Sequence, residues 1–402
     1  MARVIVIGGS FAGITSALEA RRRLGKDHEV LLISKTDKFT FIPSLIWVPF
    51  GRRKVSDVTL PVEPIAAKKG VKFLHAEATQ IDPEKKVVTT TKGDFNYDYL
   101  LIATGVDIRF DAVEGLGPDS GHTQSVCTPS HAEHAREAFE KFVKDPGPVV
   151  IGAVQGASCM GAAYEFLFNF EYYARKQGVR KKVDVTWLSP EPFLGHFGIS
   201  GMLGGSTMLK GFMKVLRINP VLNADVEKIE PGQIKMKDGK VLPYKFAMLI
   251  PPFWGAKVIQ NSPGLGDEKG FIPTTDSYQH KKYPNIFAAG LAVQVPAPFK
   301  TKVAMGVPKT GYPADETAKV AARNIAALIK GQGGRLHEKA FGKIPGLCML
   351  DAGRKEVLII SNHLLKPRQF AIMLPNPFGD PSKWVFEKYF LWKTRNGMSY
   401  LP

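Results

Sequence analysis

The first thirteen residues constrain this chain more than any other stretch. Arg3 to Ile7 is a short apolar, β-branched run, Gly8-Gly9-Ser10-Phe11-Ala12-Gly13 follows at once, and a helical apolar period continues to Leu24. A second apolar run, Glu29 to Ile33, completes a strand–turn–helix–strand unit opening at the N-terminus. Such a turn lets the backbone approach a pyrophosphate and points free helix amides at its charge. Gly8 and Gly13 fill the first and third positions of G-x-G-x-x-G, and Ser10, still small, replaces the middle glycine. The spacing predicts an α/β nucleotide-binding domain. Where the second strand usually ends in an acid that holds the ribose, Ser34 and Lys35 offer a hydroxyl and a cation instead.

A second unit of the same kind starts after Pro146-Gly147-Pro148. Val149–Ile151 reads as a strand, Gly152 to Gly156 as a turn, Ser158 to Lys176 as a helix and Val183–Leu188 as the next strand. Its nucleotide signature is poor: Cys159 stands where nicotinamide enzymes keep packing residues, and Val183–Pro190 offers Ser189 rather than an acid. A thiol at a helix N-terminus sits in positive potential, which lowers its pKa. A free cysteine is equally a small buried hydrophobe, and position alone leaves both readings open. Elsewhere Val71–Leu74, Val87–Thr91, Tyr97–Ala103, Phe246–Ile250 and Asn285–Ala289 read as strands. Lys237-Asp238-Gly239-Lys240 is a hairpin turn, and Pro313–Lys330 a helix with proline in its first turn and Gly331 beyond its end.

Composition narrows the function classes. A chain of 402 residues holds two or three domains, and 44% hydrophobic with 23% charged residues excludes disorder and fibrous repeats. No apolar run reaches the roughly 18 to 20 residues that span a bilayer. Three cysteines, Cys127, Cys159 and Cys348, are too few for a disulfide scaffold and wrongly spaced for zinc, so no metal is expected. The N-terminus reads as a strand, so no signal peptide is expected. The net charge of +17 calls for an anionic partner, and without a binding module or an Arg/Lys-rich arm that partner is not nucleic acid.

Two later segments favour FAD over NAD at the first site. Tyr97-Asp98-Tyr99-Leu100-Leu101-Ile102-Ala103-Thr104-Gly105 and Asn285-Ile286-Phe287-Ala288-Ala289-Gly290 are what two-dinucleotide flavoproteins carry. There the first crosses back from the FAD domain and the second lies against the ribityl chain.

Over essentially its whole length the chain resembles sulfide:quinone oxidoreductases. The matching segments are Gly8–Gly13, Phe39–Ser44, Gln124–Thr128, Gly152–Gly161, Gly195-His196, Pro308–Tyr312, Cys348 with Asp351–Gly353, and Phe386–Phe390. The resemblance implies two Rossmann-like domains of the glutathione-reductase-like FAD/NAD(P)-binding fold and a C-terminal membrane-associating, quinone-binding region. The expected division is 1–106 with 251–330 for FAD, 107–250 for the second domain with Cys127 and Cys159, and 331–402 for the region with Cys348.

It further implies that Cys159 and Cys348 bridge sulfur beside the flavin, oxidising hydrogen sulfide to polysulfide or elemental sulfur. The cysteine matching Cys127 aids sulfur release or, in some members, links covalently to the flavin. His131 and His196 match histidines that handle protons, and Glu165 is a proton-relay candidate. On an ideal helix Glu165 lies about 240° around from Cys159, off its face. On the cofactor side the expected residues are Gly8, Gly9, Ser10, Phe11, Ala12, Gly13, Ser34, Lys35, Glu77, Ala78, Thr104, Gly105, Gly290 and Lys388. Phe386, Phe390 and Lys309 are expected at the quinone.

Residues 382–395 suit an interfacial helix capped by Ser382. Trp384, Val385, Tyr389 and Trp392 form its apolar stripe, and Lys383, Lys388, Lys393 and Arg395 reach out to headgroups. The expectation is a peripheral membrane protein on a lipid surface, its membrane face and oligomeric state left open. Three rival readings remain: a type 2-like NADH:quinone oxidoreductase, the flavin subunit of a sulfide dehydrogenase with a cytochrome acceptor, and a flavin-binding redox sensor without turnover. The first requires a good second glycine turn and the second lacks an aromatic tail.

Overall fold

The computed structural model describes residues 1–376 and 381–402. The first unit contains β1 (Arg3–Ile7), α1 (Phe11–Leu24), β2 (Glu29–Ser34), β3 (Lys72–His75) and β4 (Tyr99–Ile102). The second contains α2 (Pro129–Lys144), β5 (Val149–Ala153), α3 (Met160–Lys176), β6 (Val185–Leu188), α4 (Gly205–Leu216), β7 (Ile218–Val221) and β8 (Phe246–Ile250). Then β9 (Ile286–Ala288) and α5 (Gly311–Ile329) return to the first unit. The chain ends with β10 (Gly346–Asp351), β11 (Glu356–Ser361), β12 (Ala371–Asn376) and α6 (Pro381–Arg395).

Two parallel sheets form the frame, ordered β9-β4-β1-β2-β3 and β7-β6-β5-β8. Their central strands read as unbroken apolar runs because both faces are covered; in the second unit helices pack on one face and the antiparallel strands Val226–Glu230, Gln233–Met236 and Val241–Pro243 on the other. All five residues of β5 and of β8 are buried, and Val4 to Ile7 are buried in β1. The last sheet, β10-β11-β12, is antiparallel and packs into the apolar cluster of the second unit through Leu350, Val357, Ile359 and Met373. By contrast, α6 sends Phe390 and Leu391 into the cluster of the first unit.

Several strand ends differ from expectation by one or two residues, and three helix starts differ as well. Helix α3 starts at Met160, since Cys159 has φ −125° and ψ 58° and stands just outside the helical path. Helix α5 starts at Gly311, two residues before the proline taken as its first turn. Helix α6 starts at Pro381, so Ser382 is not its cap; the Ser382 hydroxyl instead accepts from Asn376 Nδ2 at 2.8 Å. Among the described residues no helix is long and apolar enough to cross a membrane.

Candidate active site

The turn after β1 is shaped for close approach. Gly8 has φ +117°, and a Cβ there would stand 2.2 Å from the Ala103 carbonyl oxygen; one on Gly13 would stand 1.7 Å from that of Gly8. The first helical bond of α1 runs from Ile14 N to Ser10 O at 2.9 Å, so the amides of Phe11 to Gly13 precede any intrahelical acceptor. The Ser10 hydroxyl makes no capping bond, and Thr104 Oγ1 is buried without a partner. Across the cradle Gly290 has φ +68°, and a Cβ there would lie 2.8 Å from that of Ala12. Tight glycines, free amides and an orphaned hydroxyl fit the pyrophosphate of FAD.

The outer parts of this cradle are arranged less simply. Ser34 is buried and its hydroxyl is engaged with Thr36, donating to the carbonyl at 2.8 Å and accepting from the amide at 3.2 Å. Lys35 and Glu77 are exposed, Ala78 is half-buried and Gly105 takes φ +74° after β4. Lys309 Nζ donates to the carbonyls of Leu291 and Val293 at 3.0 and 3.1 Å, beside Gly290, and burial pushes it down to about 7.

In the second unit the corresponding turn is covered by the chain itself. Gly156 N donates to Ala304 O at 2.6 Å and Gly306 N to Ala157 O at 2.9 Å. Val154 and Ala157 are fully buried. Ser189 Oγ is held 3.0 Å from Glu191 Oε2. Amides and strand end that a nicotinamide dinucleotide would need are thus already committed.

Three segments bring the thiols together. Cys127 precedes α2, Cys159 precedes α3, and Cys348 lies on β10, which packs against α3. Each is a free thiol. Burial pushes Cys127 and Cys348 up to about 12 and raises Cys159. Cys348 is exposed as a residue, yet enough protein surrounds its sulfur for desolvation to dominate. Negative charge on Cys159 raises both Cys127 and Cys348, so Cys159 stands electrostatically between the other two. Of the two effects that position left open for Cys159, the Ala162 amide does lower its pKa, but desolvation is the larger and raises it.

Glu165 joins this cluster. Its charge raises both Cys159 and Cys348, which the helical-wheel angle did not anticipate because Cys159 is off the helix. Burial pushes Glu165 up to about 7, against the lowering effect of Lys383, with which it forms a short buried ion pair. Asp351 N donates to Glu165 Oε1 at 3.3 Å. Asp351, fully buried, accepts from Trp47 Nε1 at 2.5 Å and Arg52 Nη1 at 2.9 Å.

The two histidines lie in other surroundings. His131, on the first turn of α2, has Nε2 3.4 Å from Asp119 Oδ2 and its ring edge-on to Phe110, and desolvation lowers its pKa. His196 is buried between Phe193 and Phe299 and is lowered by desolvation and then by Lys366. Its loop is tied to α3 through Glu191, which accepts from Phe197 N and Tyr164 OH, both at 2.8 Å.

Helix α6 closes over the first unit. Phe390 is buried, with ring centroids 5.0 Å from Phe11, 5.4 Å from Phe41 and 6.0 Å from half-buried Phe386. Glu387 is fully buried and accepts from Ser44 Oγ at 2.7 Å and Arg53 Nε at 3.1 Å. Lys388 is half-exposed, 3.3 Å from Glu387 Oε1. The cations of this helix do not all face outward as expected. Lys383 is 3% exposed on Glu165 and Lys393 2% exposed, 3.2 Å from Asp315. A buried lysine on an amphipathic helix carries no sequence signal, since its acid is 218 residues away for Lys383.

Comparison with known proteins adds a second line. Residues 2–306 match the family model described as pyridine nucleotide-disulphide oxidoreductase. The chain is 34% identical to the sulfide-quinone reductase of Aquifex aeolicus (strain VF5), covering 98% of this chain and 91% of that protein. It is 26% identical to the mitochondrial sulfide:quinone oxidoreductase of Mus musculus, over 82% of this chain and 73% of that protein. The X-ray structure of the sulfide:quinone oxidoreductase from the hyperthermophilic bacterium Aquifex aeolicus superposes with a TM-score of 0.93, at 33% identity, over 99% of this chain and 92% of that one.

Proposed function

The chain belongs to the pyridine nucleotide-disulphide oxidoreductases and, within them, to the sulfide:quinone oxidoreductase family; from that premise we propose how its residues work. It is an FAD-dependent enzyme that oxidises hydrogen sulfide and passes the electrons to a quinone. The observation that carries this reading is the gathering of Cys127, Cys159, Cys348 and Glu165 from three separate segments into one electrostatic cluster.

Cys159 and Cys348 are the redox pair. With a disulfide between them, hydrosulfide attacks one sulfur: one S–S bond forms, the other breaks, and the products are a persulfide on one cysteine and a thiolate on the other. Bound FAD would supply the two-electron acceptor for the oxidation that follows, in which the thiolate sulfur bonds to the outer persulfide sulfur, the persulfide proton is released, and the electron pair passes on to the quinone. Hydrogen sulfide must first lose a proton to attack as hydrosulfide, the persulfide later loses its own, and Glu165 is the carboxyl beside the pair that receives it. Gly8 to Gly13, Thr104 and Gly290 hold the cofactor. Lys309, held on the carbonyls of Leu291 and Val293 beside Gly290, is assigned to the quinone side. Phe386 and Phe390 provide an aromatic wall for the quinone ring.

Peripheral membrane attachment is supported by the outer face of α6, where Trp384, Val385 and Trp392 are about half-exposed beside Lys388. The NADH reading has no support in the covered second turn.

The test is an anaerobic visible spectrum of the purified protein mixed separately with sulfide and with NADH, then with a quinone. Sulfide should bleach the flavin, quinone should restore it, and NADH should do neither. Bleaching by NADH alone overturns the reading.

A further inference from the structure

Glu165 sits where three elements meet. Helix α3 supplies it, β10 supplies Cys348 and Asp351, and the first turn of α6 supplies Lys383. Lys383 is held at both ends. Its ammonium pairs with Glu165 Oε1 and lies 4.8 Å from the Trp47 ring centroid, while its backbone amide donates to Glu356 Oε1 at 2.8 Å. Glu356 is itself 1% exposed and accepts from Asn376 Nδ2 at 2.9 Å. The helix carrying Phe386 and Phe390 is thereby pinned, at its first turn, onto the carboxyl beside the thiols.

A lone carboxylate here would be costly. It is buried, Asp351 adds negative charge to its surroundings, and the proposed mechanism places a thiolate on one of the neighbouring cysteines. Arg52 is already bound to Asp351, so Lys383 is the cation on Glu165 itself. Its charge lowers both Glu165 and Cys348.

We propose that Lys383 is a positioning residue for the sulfide half-reaction: its ion pair holds the Glu165 carboxylate at the junction of α3, β10 and α6, and so makes proton uptake there depend on the seating of α6. The step balances as a proton transfer, a thiol or hydrogen sulfide becoming its anion while the Glu165 carboxylate becomes a carboxylic acid. No electrons move in it. The inference rests on the reading above and deepens it.

The experiment is the pH profile of anaerobic flavin bleaching by sulfide, followed by stopped flow in the holoenzyme. Wild type, Lys383→Met, Lys383→Arg, Glu165→Gln and the Glu165→Gln/Lys383→Met double variant are compared at equal flavin content. The titration of sulfide is common to all, so differences between profiles belong to the protein. In Lys383→Met the acid limb should move to higher pH by about one unit or more, and Lys383→Arg should return it most of the way. Glu165→Gln should remove the protein's share of that limb, and adding Lys383→Met to it should move nothing further. A Lys383→Met enzyme with the wild-type profile, slowed only in reoxidation by quinone, would mean that the lysine merely anchors α6 and would overturn the proposal. If Lys383→Met binds no flavin, the double variant, whose pair is neutral, and Lys383→Arg carry the comparison. Wild type that sulfide never bleaches defeats the functional reading as well; bleaching with unmoved profiles defeats this inference alone.

Discussion

Three thiols that burial holds protonated need a proton acceptor before any of them can act as a nucleophile. Burial pushes Cys127 and Cys348 up to about 12 and raises Cys159 as well, so their thiolates are disfavoured at neutral pH, and Glu165, pushed up to about 7, is the group beside Cys159 and Cys348 that can receive a proton. Cys159→Ala and Cys348→Ala should each cut sulfide-dependent quinone reduction by on the order of a thousandfold or more while flavin stays bound. Near-normal turnover in either would remove the bridge from the mechanism. Cys127→Ala should cost less, and acid denaturation will tell from flavin retention whether this thiol holds the cofactor. The cysteines were visible in the chain as three isolated letters. Their mutual influence was not, because it depends on β10 packing against α3, a contact nearly two hundred residues apart in sequence.

Among the elements, α6 has two unlike faces. Inward it carries Glu387 on Arg53, Lys393 on Asp315, and Phe390 against Phe11, Phe39 and Phe41. Outward it carries Trp384, Val385, Lys388 and Trp392, positions that fall within about 100° of helix circumference. Those two tryptophans are 45% and 48% exposed, a large apolar cost in water that a headgroup region would relieve. Trp384→Ala/Trp392→Ala should therefore weaken binding to anionic vesicles on the order of ten- to a hundredfold, with flavin bleaching by sulfide unchanged. Unchanged vesicle binding would move the membrane contact to another surface. The stripe of aromatics was legible from helical spacing. Which lysines would reach water was not, since periodicity reports the face of a residue and not the acid waiting there.

For the molecule as a whole, buried acids set how stability answers to pH. Glu191 is fully buried, forms no ion pair among the described residues, and is pushed by desolvation up to about 7 from an ordinary 4.5. Between those values the native state keeps a proton that the unfolded chain has lost, so this group makes stability fall as pH rises through the window. Glu191→Gln should gain on wild type in thermal stability from pH 4.5 to 7.5, by at most about 3 kcal/mol at the upper end. Parallel melting curves would mean that Glu191 is ionised in the fold. The same residue ties the His196 loop to α3, so its variant also reports on how firmly the second unit is closed. By itself the sequence determined both strand–turn–helix units, because glycine turns and unbroken β-branched runs act through local sterics and burial that adjacent residues share. The tertiary structure alone decided that the second turn is filled by residues 304–306, that Cys159 is raised rather than lowered, and that Lys383 and Lys393 face acids instead of lipid. Desolvation and ion pairing depend on what lies within a few ångströms in space, and these partners lie tens to hundreds of residues away along the chain.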